Sequence, residues 1–114
     1  MALVINQQER EGVIILGLSG RLVFGEECDA FDQQVKDLLA ANKNKIILNL
    51  EEVSYCDSVG LDSLVKALVS AEDRNGDVKL VKPSQRVQDL LDLTKLNTVF
   101  DIHTSEEEAL ASFK

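Results

Sequence analysis

The chain has 114 residues, with 12 Lys and Arg against 20 Asp and Glu, for a formal net charge of −8. That length suits one domain able to bury a core without a metal or disulfide staple, and 45% hydrophobic with 28% charged residues is globular rather than disordered composition. The acidic balance, and an aromatic content of 4% without Trp, count against nucleic acid, which is held by cations on phosphates and rings under bases.

The spacing predicts strands over Leu3–Gln7 and Val13–Ser19, both rich in β-branched residues. Glu9-Arg10-Glu11-Gly12 between them is a polar connector of hairpin length, so the pair is expected to be antiparallel. Gly17 and Gly20 suggest a bend or close approach late in the second strand. The apolar run around Val13–Leu18 falls far below the ~20 residues that span a bilayer, and Met1–Ile5 lacks the basic region of a secretory signal. No membrane insertion and a cytoplasmic location are the resulting expectations.

A helix is expected over Glu26–Ala41, with Cys28, Phe31, Val35, Leu38 and Leu39 on one face. Glu26, Glu27 and Asp29 suit the positive end of its dipole, and Lys43 and Lys45 follow the negative end. Lys45–Leu50 reads as a strand apolar enough to be buried on both faces, running through Glu51–Cys56 into Asp57-Ser58-Val59-Gly60. Leu61, Leu64, Val65, Leu68 and Val69 then form the strongest helical stripe in the chain, which Arg74-Asn75-Gly76-Asp77 ends. Val78–Lys82 is a further short strand. Ser84 can cap a third helix carrying Val87, Leu90, Leu91 and Thr94. Val99–His103 reads as the last strand. Ser105 with Glu108 makes a capping-box pattern for a fourth helix reaching Phe113, with Ala109, Leu110 and Phe113 inward.

The order β-β-α-β-α-β-α-β-α predicts a single α/β domain over residues 1–114: a mixed sheet of about five strands and about four helices, parallel after the first hairpin. Periodicity does not decide whether the helices lie on one face or two.

An enzyme is not expected, and no catalytic residue, metal ligand or cofactor site emerges. The one histidine, His103, has no nucleophile elbow or partner at motif spacing and reads as a surface or cap residue. No phosphate-binding loop and no Gly-x-Gly-x-x-Gly occurs. Glu51-Glu52 and Glu106–Glu108 read as solvated surface or helix starts. Cys28 and Cys56 have no metal-ligand spacing and read as reduced, structural thiols.

Asp57-Ser58-Val59-Gly60-Leu61, where a strand ends and an amphipathic helix begins, stands above this background. In one reading Asp57 or Ser58 is an N-cap and Gly60 a small residue at a crowded helix start. In the other, Ser58 accepts a phosphate, which the unpaired N–H groups and positive dipole end of a helix tolerate.

Ile46-Ile47-Leu48-Asn49-Leu50, Val53 and Asp57-Ser58-Val59-Gly60-Leu61 with the apolar helix after it resemble the STAS domain of bacterial anti-sigma factor antagonists. Gly20-x-Leu22, Gly76 before a short strand, and Leu96–Phe100 follow in the expected order. The resemblance implies a partner that is both an anti-sigma factor and a serine protein kinase. That kinase would phosphorylate Ser58, the unphosphorylated form would capture it and free a sigma factor, and a phosphatase would restore the chain. Two positions depart from the family pattern: Val23 stands where many members carry an acid beside the motif serine, and Val59 where many carry a second serine. A constitutive STAS subunit of a signalling or lipid-transport complex, not phosphorylated, is the alternative. The partner surface is expected at Leu22, Val23, Phe24, Asp57, Ser58, Val59, Gly60 and Leu61, since both segments follow strands that would emerge at one end of a parallel sheet. Leu22, Val23 and Phe24 would form a partly exposed apolar patch, with Leu22 and Phe24 equally readable as core. The net charge of −8 favours a partner with Lys or Arg around its docking face. Oligomeric state is not readable from the sequence.

Overall fold

A computed structural model describes residues 3–114. Apolar, β-branched runs open the chain as strands β1 (Leu3–Arg10) and β2 (Val13–Leu22), paired antiparallel from Leu3 opposite Gly20 to Arg10 opposite Val13. The turn is shorter than the polar run suggests. Glu9 and Arg10 stay in the ladder, and only Glu11 and Gly12 turn, with φ of 54° and 80°. Positive φ at both central residues is the geometry whose twist matches a two-residue hairpin.

Helix α1 (Glu26–Ala40) returns the chain to β3 (Lys45–Cys56), which lies parallel to β2. The strand expected to stop at Leu50 runs on to Cys56, because β2 also continues and pairs Ser19–Leu22 with Glu52–Cys56. Register shifts after Gly17 and Gly20 absorb the mismatch, which places the expected bend. Helix α2 (Ser58–Glu72), β4 (Asp77–Val81), α3 (Gln85–Leu93), β5 (Asp101–His103) and α4 (Glu106–Ser112) complete the fold. Ser84 and Ser105 cap α3 and α4 through Val87 and Glu108 backbone N–H groups. A short 3₁₀ turn, Leu96–Thr98, occupies the approach to β5, so the last strand begins at Asp101 rather than Val99.

The sheet order is β1-β2-β3-β4-β5. Each parallel crossover therefore steps one strand in the same direction. Crossovers of one hand that all step the same way must carry their helices over the same face. The main core matches: α1, α2 and α3 bury Phe31, Leu64 and Leu91 against Leu16, Leu48 and Leu80. Helix α4 follows the last strand, has no crossover to complete, and packs alone on the other face, where Ala109 and Leu110 with Phe113 meet Val13, Ile15, Ile47 and Val81. Ile46 and Ile47 thus enter different cores, which is why β3 is apolar without alternation. Among the described residues no helix is long and apolar enough to cross a membrane.

Cys28 and Cys56 lie buried as free thiols. Burial raises both above the ordinary thiol value, Cys56 to about 12, so neither offers a thiolate at neutral pH.

His103 is more than a surface or cap residue. Its Nε2 lies 2.9 Å from Asp101 and its Nδ1 3.0 Å from Glu108, tying β5 to α4. Beside it the Lys79 side chain, 8% exposed, places Nζ 2.6 Å from Asp101 and 4.8 Å from the Phe113 ring centre. Lys79 and His103 hold the Asp101 carboxyl below its ordinary range. Since the folded value is the lower one, the unfolded chain takes up this proton first as the solution is acidified. The stability it supplies is complete above the ordinary Asp value of about 3.9 and is lost as pH falls through the native value. Asp101→Asn is therefore expected to flatten the fall of the unfolding midpoint below about pH 4. Thermal scans from pH 6 to 2 measure it, and parallel slopes for parent and variant would show that the network adds nothing.

Candidate functional site

Strand β3 ends at Cys56 and α2 begins at Ser58, with Asp57 between them as the N-cap in an extended conformation. The stripe Leu61, Leu64 and Leu68 fixes α2 to the sheet, so this junction has one orientation. Asp57 Oδ1 accepts from the backbone N–H of Gly60 at 2.7 Å, and Oδ2 accepts from the N–H of Phe24 at 2.9 Å. The Asp57 N–H donates to the Leu22 carbonyl at 3.4 Å. One carboxylate thus locks the turn after β2 to the turn after β3. Burial works to raise its pKa, but the N–H groups of Phe24 and Gly60 outweigh it and hold the carboxyl below its ordinary range. The group is an anion committed to backbone, not a base waiting for a substrate.

Gly60 sits where the two turns touch. A Cβ there would run into the carbonyl oxygen of Leu22, 2.9 Å from its carbonyl carbon and 3.0 Å from Cys56 Sγ. Only a bare Cα lets α2 start this close to β2.

Because Asp57 does the capping, the Ser58 hydroxyl is not required for it, and Ser58 lies exposed on the first turn of a 15-residue helix. Val59, 39% exposed, and Phe24, 75% exposed, present apolar surface at the same junction. Val23 is half-buried. Leu22 belongs to the core, at 1% exposure, and Leu61 is likewise buried. The expected apolar patch at residues 22–24 is thus Phe24 with part of Val23. Leu22, Gly60 and Leu61 shape the surface from beneath, and Asp57 fixes it. Of the nearby serines, Ser63 is 1% exposed and inaccessible, while Ser54 is exposed and donates to the Gly20 carbonyl at 3.2 Å.

Sequence reasoning missed a cluster that adjoins these residues in the chain. Arg21 and Tyr55 are register partners on β2 and β3, one position before Leu22 and Cys56. The Arg21 guanidinium carbon lies 5.6 Å from the Tyr55 ring centre, and that of Arg86, on α3, lies 4.8 Å from it. Arg21 and Tyr55 flank the motif residues, but nothing in the sequence brings Arg86 to them; that takes the docking of α3 beside β3, where Ser84 Oγ donates to the Val53 carbonyl.

This architecture is shared with known proteins. The STAS domain family matches residues 4–109. A homologue in Thermotoga neapolitana, named as an anti-sigma factor antagonist, is 35% identical over 101 residues, spanning 88% of each chain. The crystal structure of an anti-sigma factor antagonist from Thermotoga maritima superposes with a TM-score of 0.89 at 30% identity, covering 95% of this chain and 92% of that one. The Bacillus cell fate determinant SpoIIAA in its phosphorylated form has the same fold, with a TM-score of 0.78 at 18% identity over 97% of this chain and 100% of its own. With the match running from β1 into α4, the chain belongs to the STAS domain family, and its relatives include proteins named as anti-sigma factor antagonists.

Proposed function

We propose that the chain is an anti-sigma factor antagonist, a protein-binding switch controlled by phosphorylation of Ser58. The observation that carries this reading is the division of labour at the α2 start: Asp57 caps the helix and leaves the exposed Ser58 hydroxyl free for modification. The names of the relatives supply the partner class, and the phosphorylated form of SpoIIAA, a protein of the same fold, supports a phosphate on this architecture. Unphosphorylated, the surface at Phe24, Ser58 and Val59 would capture an anti-sigma factor that is also a serine kinase, and so release a sigma factor. A phosphate brings about −1.5 to −2 charges to a helix end whose dipole and open N–H groups tolerate it, so the fold survives while the docking face changes. A phosphatase resets it.

Ser58→Ala is expected to abolish phosphate incorporation by the kinase. The unfolding midpoint should stay within a few degrees, since the lost hydroxyl caps nothing and exposed substitutions usually change stability by no more than about 0.5 kcal/mol. Mass spectrometry of the kinase-treated parent and variant checks both points. Phosphate found on Ser54 instead would overturn the assignment. Val23, half-buried where many family members carry an acid, favours the second reading of a constitutive STAS subunit. A stable complex with no phosphate on any serine would select it.

A further inference from the structure

We infer that Arg21 and Arg86, gathered around Tyr55 three positions before Ser58, form a cationic docking site for an acidic segment of the protein partner. This rests on the function proposed above and specifies the chemistry of the partner's contact face.

Both arginines are exposed, on separate elements, yet their guanidinium groups converge on one half-buried ring. Cation–π contact holds each planar fork against a rigid support, so less side-chain freedom remains to be lost when a carboxylate binds. Among the described residues neither arginine has an ion-pair partner within 4.0 Å, in a chain with 20 acidic side chains. The acid one turn along from Arg86, Asp89, instead accepts from Gln85 at 2.7 Å. Glu26, Glu27 and Asp29, in the first turn of α1, pair with neither arginine. Two forks that match carboxylate geometry are thus left without an acidic partner, around a ring three positions before Ser58 in the chain. Tyr55 precedes Asp57 by two residues, and Arg21 adjoins Leu22, whose carbonyl receives the Asp57 N–H.

This placement supplies the sign that net charge gets wrong. A chain at −8 should attract a basic partner, and a phosphate would then tighten binding rather than release it. A partner whose local contact is acidic reverses that outcome. Two residues lie between Tyr55 and Ser58, so their Cα atoms are at most about 11 Å apart, of the order of the Debye length at 0.1 M salt. A phosphate on Ser58 would offset the two guanidinium charges and repel the partner's carboxylates together. Switching off then follows from short-range Coulomb interaction.

The test measures affinity of the intact chain for the purified cognate anti-sigma factor at low and high salt. Arg21→Glu with Arg86→Glu is expected to weaken binding at least about tenfold at low salt, with the difference shrinking as salt rises. Arg21→Lys with Arg86→Lys should keep the charge and lose only a few-fold. An unchanged unfolding midpoint for each variant separates lost contacts from lost fold. Reversal of one carboxylate on the partner to Arg should rescue the Glu variant. If the parent binds and the reversed variant binds as well or better, the inference falls and the proposed function stands. If the parent binds no anti-sigma factor, both fall. If the reversal abolishes binding of a single-stranded DNA oligonucleotide and leaves anti-sigma binding intact, the site is a polyanion site and the inference is wrong.

Discussion

Gly60→Ala is expected to lower the unfolding midpoint by more than about 10 °C, a change measurable by calorimetry or circular dichroism. Two effects compete. Replacing Gly by Ala in a helix normally favours folding, by up to about 1 kcal/mol. Here the new methyl would have to occupy space held by the Leu22 carbonyl, with Cys56 Sγ close behind. Neither obstacle is the loose end of a side chain. The Leu22 carbonyl accepts the Asp57 N–H, and Leu22 itself is in the core, so relief must come from shifting α2 away from the sheet. Overpacking of that kind costs about 3 kcal/mol or more, which outweighs the propensity gain and is a large part of the 5–15 kcal/mol typical of a domain. Gly17→Ala is the control. Its Cβ would meet only Asn6 atoms, at 3.9 Å and beyond, and its effect should stay within about 1 kcal/mol. Equal stability for the two variants would show that the junction is softer than its geometry implies.

Ser58→Asp is expected to weaken binding of the anti-sigma factor by about tenfold or more, chiefly through faster dissociation. Association is governed by the field of the whole molecule, and one charge added to −8 changes that field little. Dissociation is governed by the formed contact, where the added carboxylate sits at the start of α2 within the proposed docking face. Repulsion and desolvation inside a contact that excludes solvent persist when the Debye length shrinks from ~30 Å at 0.01 M to ~8 Å at 0.15 M. Stopped-flow or surface-binding kinetics across a salt series resolve the two rates. An effect carried wholly by slower association, and vanishing at high salt, would make long-range steering the switch instead.

The α/β alternation, the caps at Ser84 and Ser105, and the Asp57–Leu61 junction were all legible in the sequence, because each depends on local spacing. What escaped depends on partners distant in the chain. The apolar run that marks the strand stops at Leu50, but the residues from Glu52 to Cys56 pair with β2 and so remain strand. Leu22 could be read as surface or core, and α1 and α2 decide for the core. His103 has no motif, yet β5 and α4 bring Asp101 and Glu108 to both of its ring nitrogens. The crowding at Gly60 and the meeting of Arg86 with Tyr55 belong to the same class: contacts across the fold that one-dimensional spacing does not encode.

The uniform strand order β1-β2-β3-β4-β5 also bears on how the chain reaches its structure. No strand must insert between two that are already paired, so each new strand finds a finished edge waiting when it emerges in synthesis. Loop closure is limited to one helix at a time, which keeps the sequence separation of contacts low for a largely parallel sheet and favours fast, vectorial folding. The same order sets the sequence of opening. Strand β5, with three residues, and α4, alone on its face, can detach without disturbing the pairing of β2 with β3. The C-terminal unit is then the first to exchange its amide hydrogens, while the strands that carry the Ser58 junction keep theirs until the whole domain unfolds.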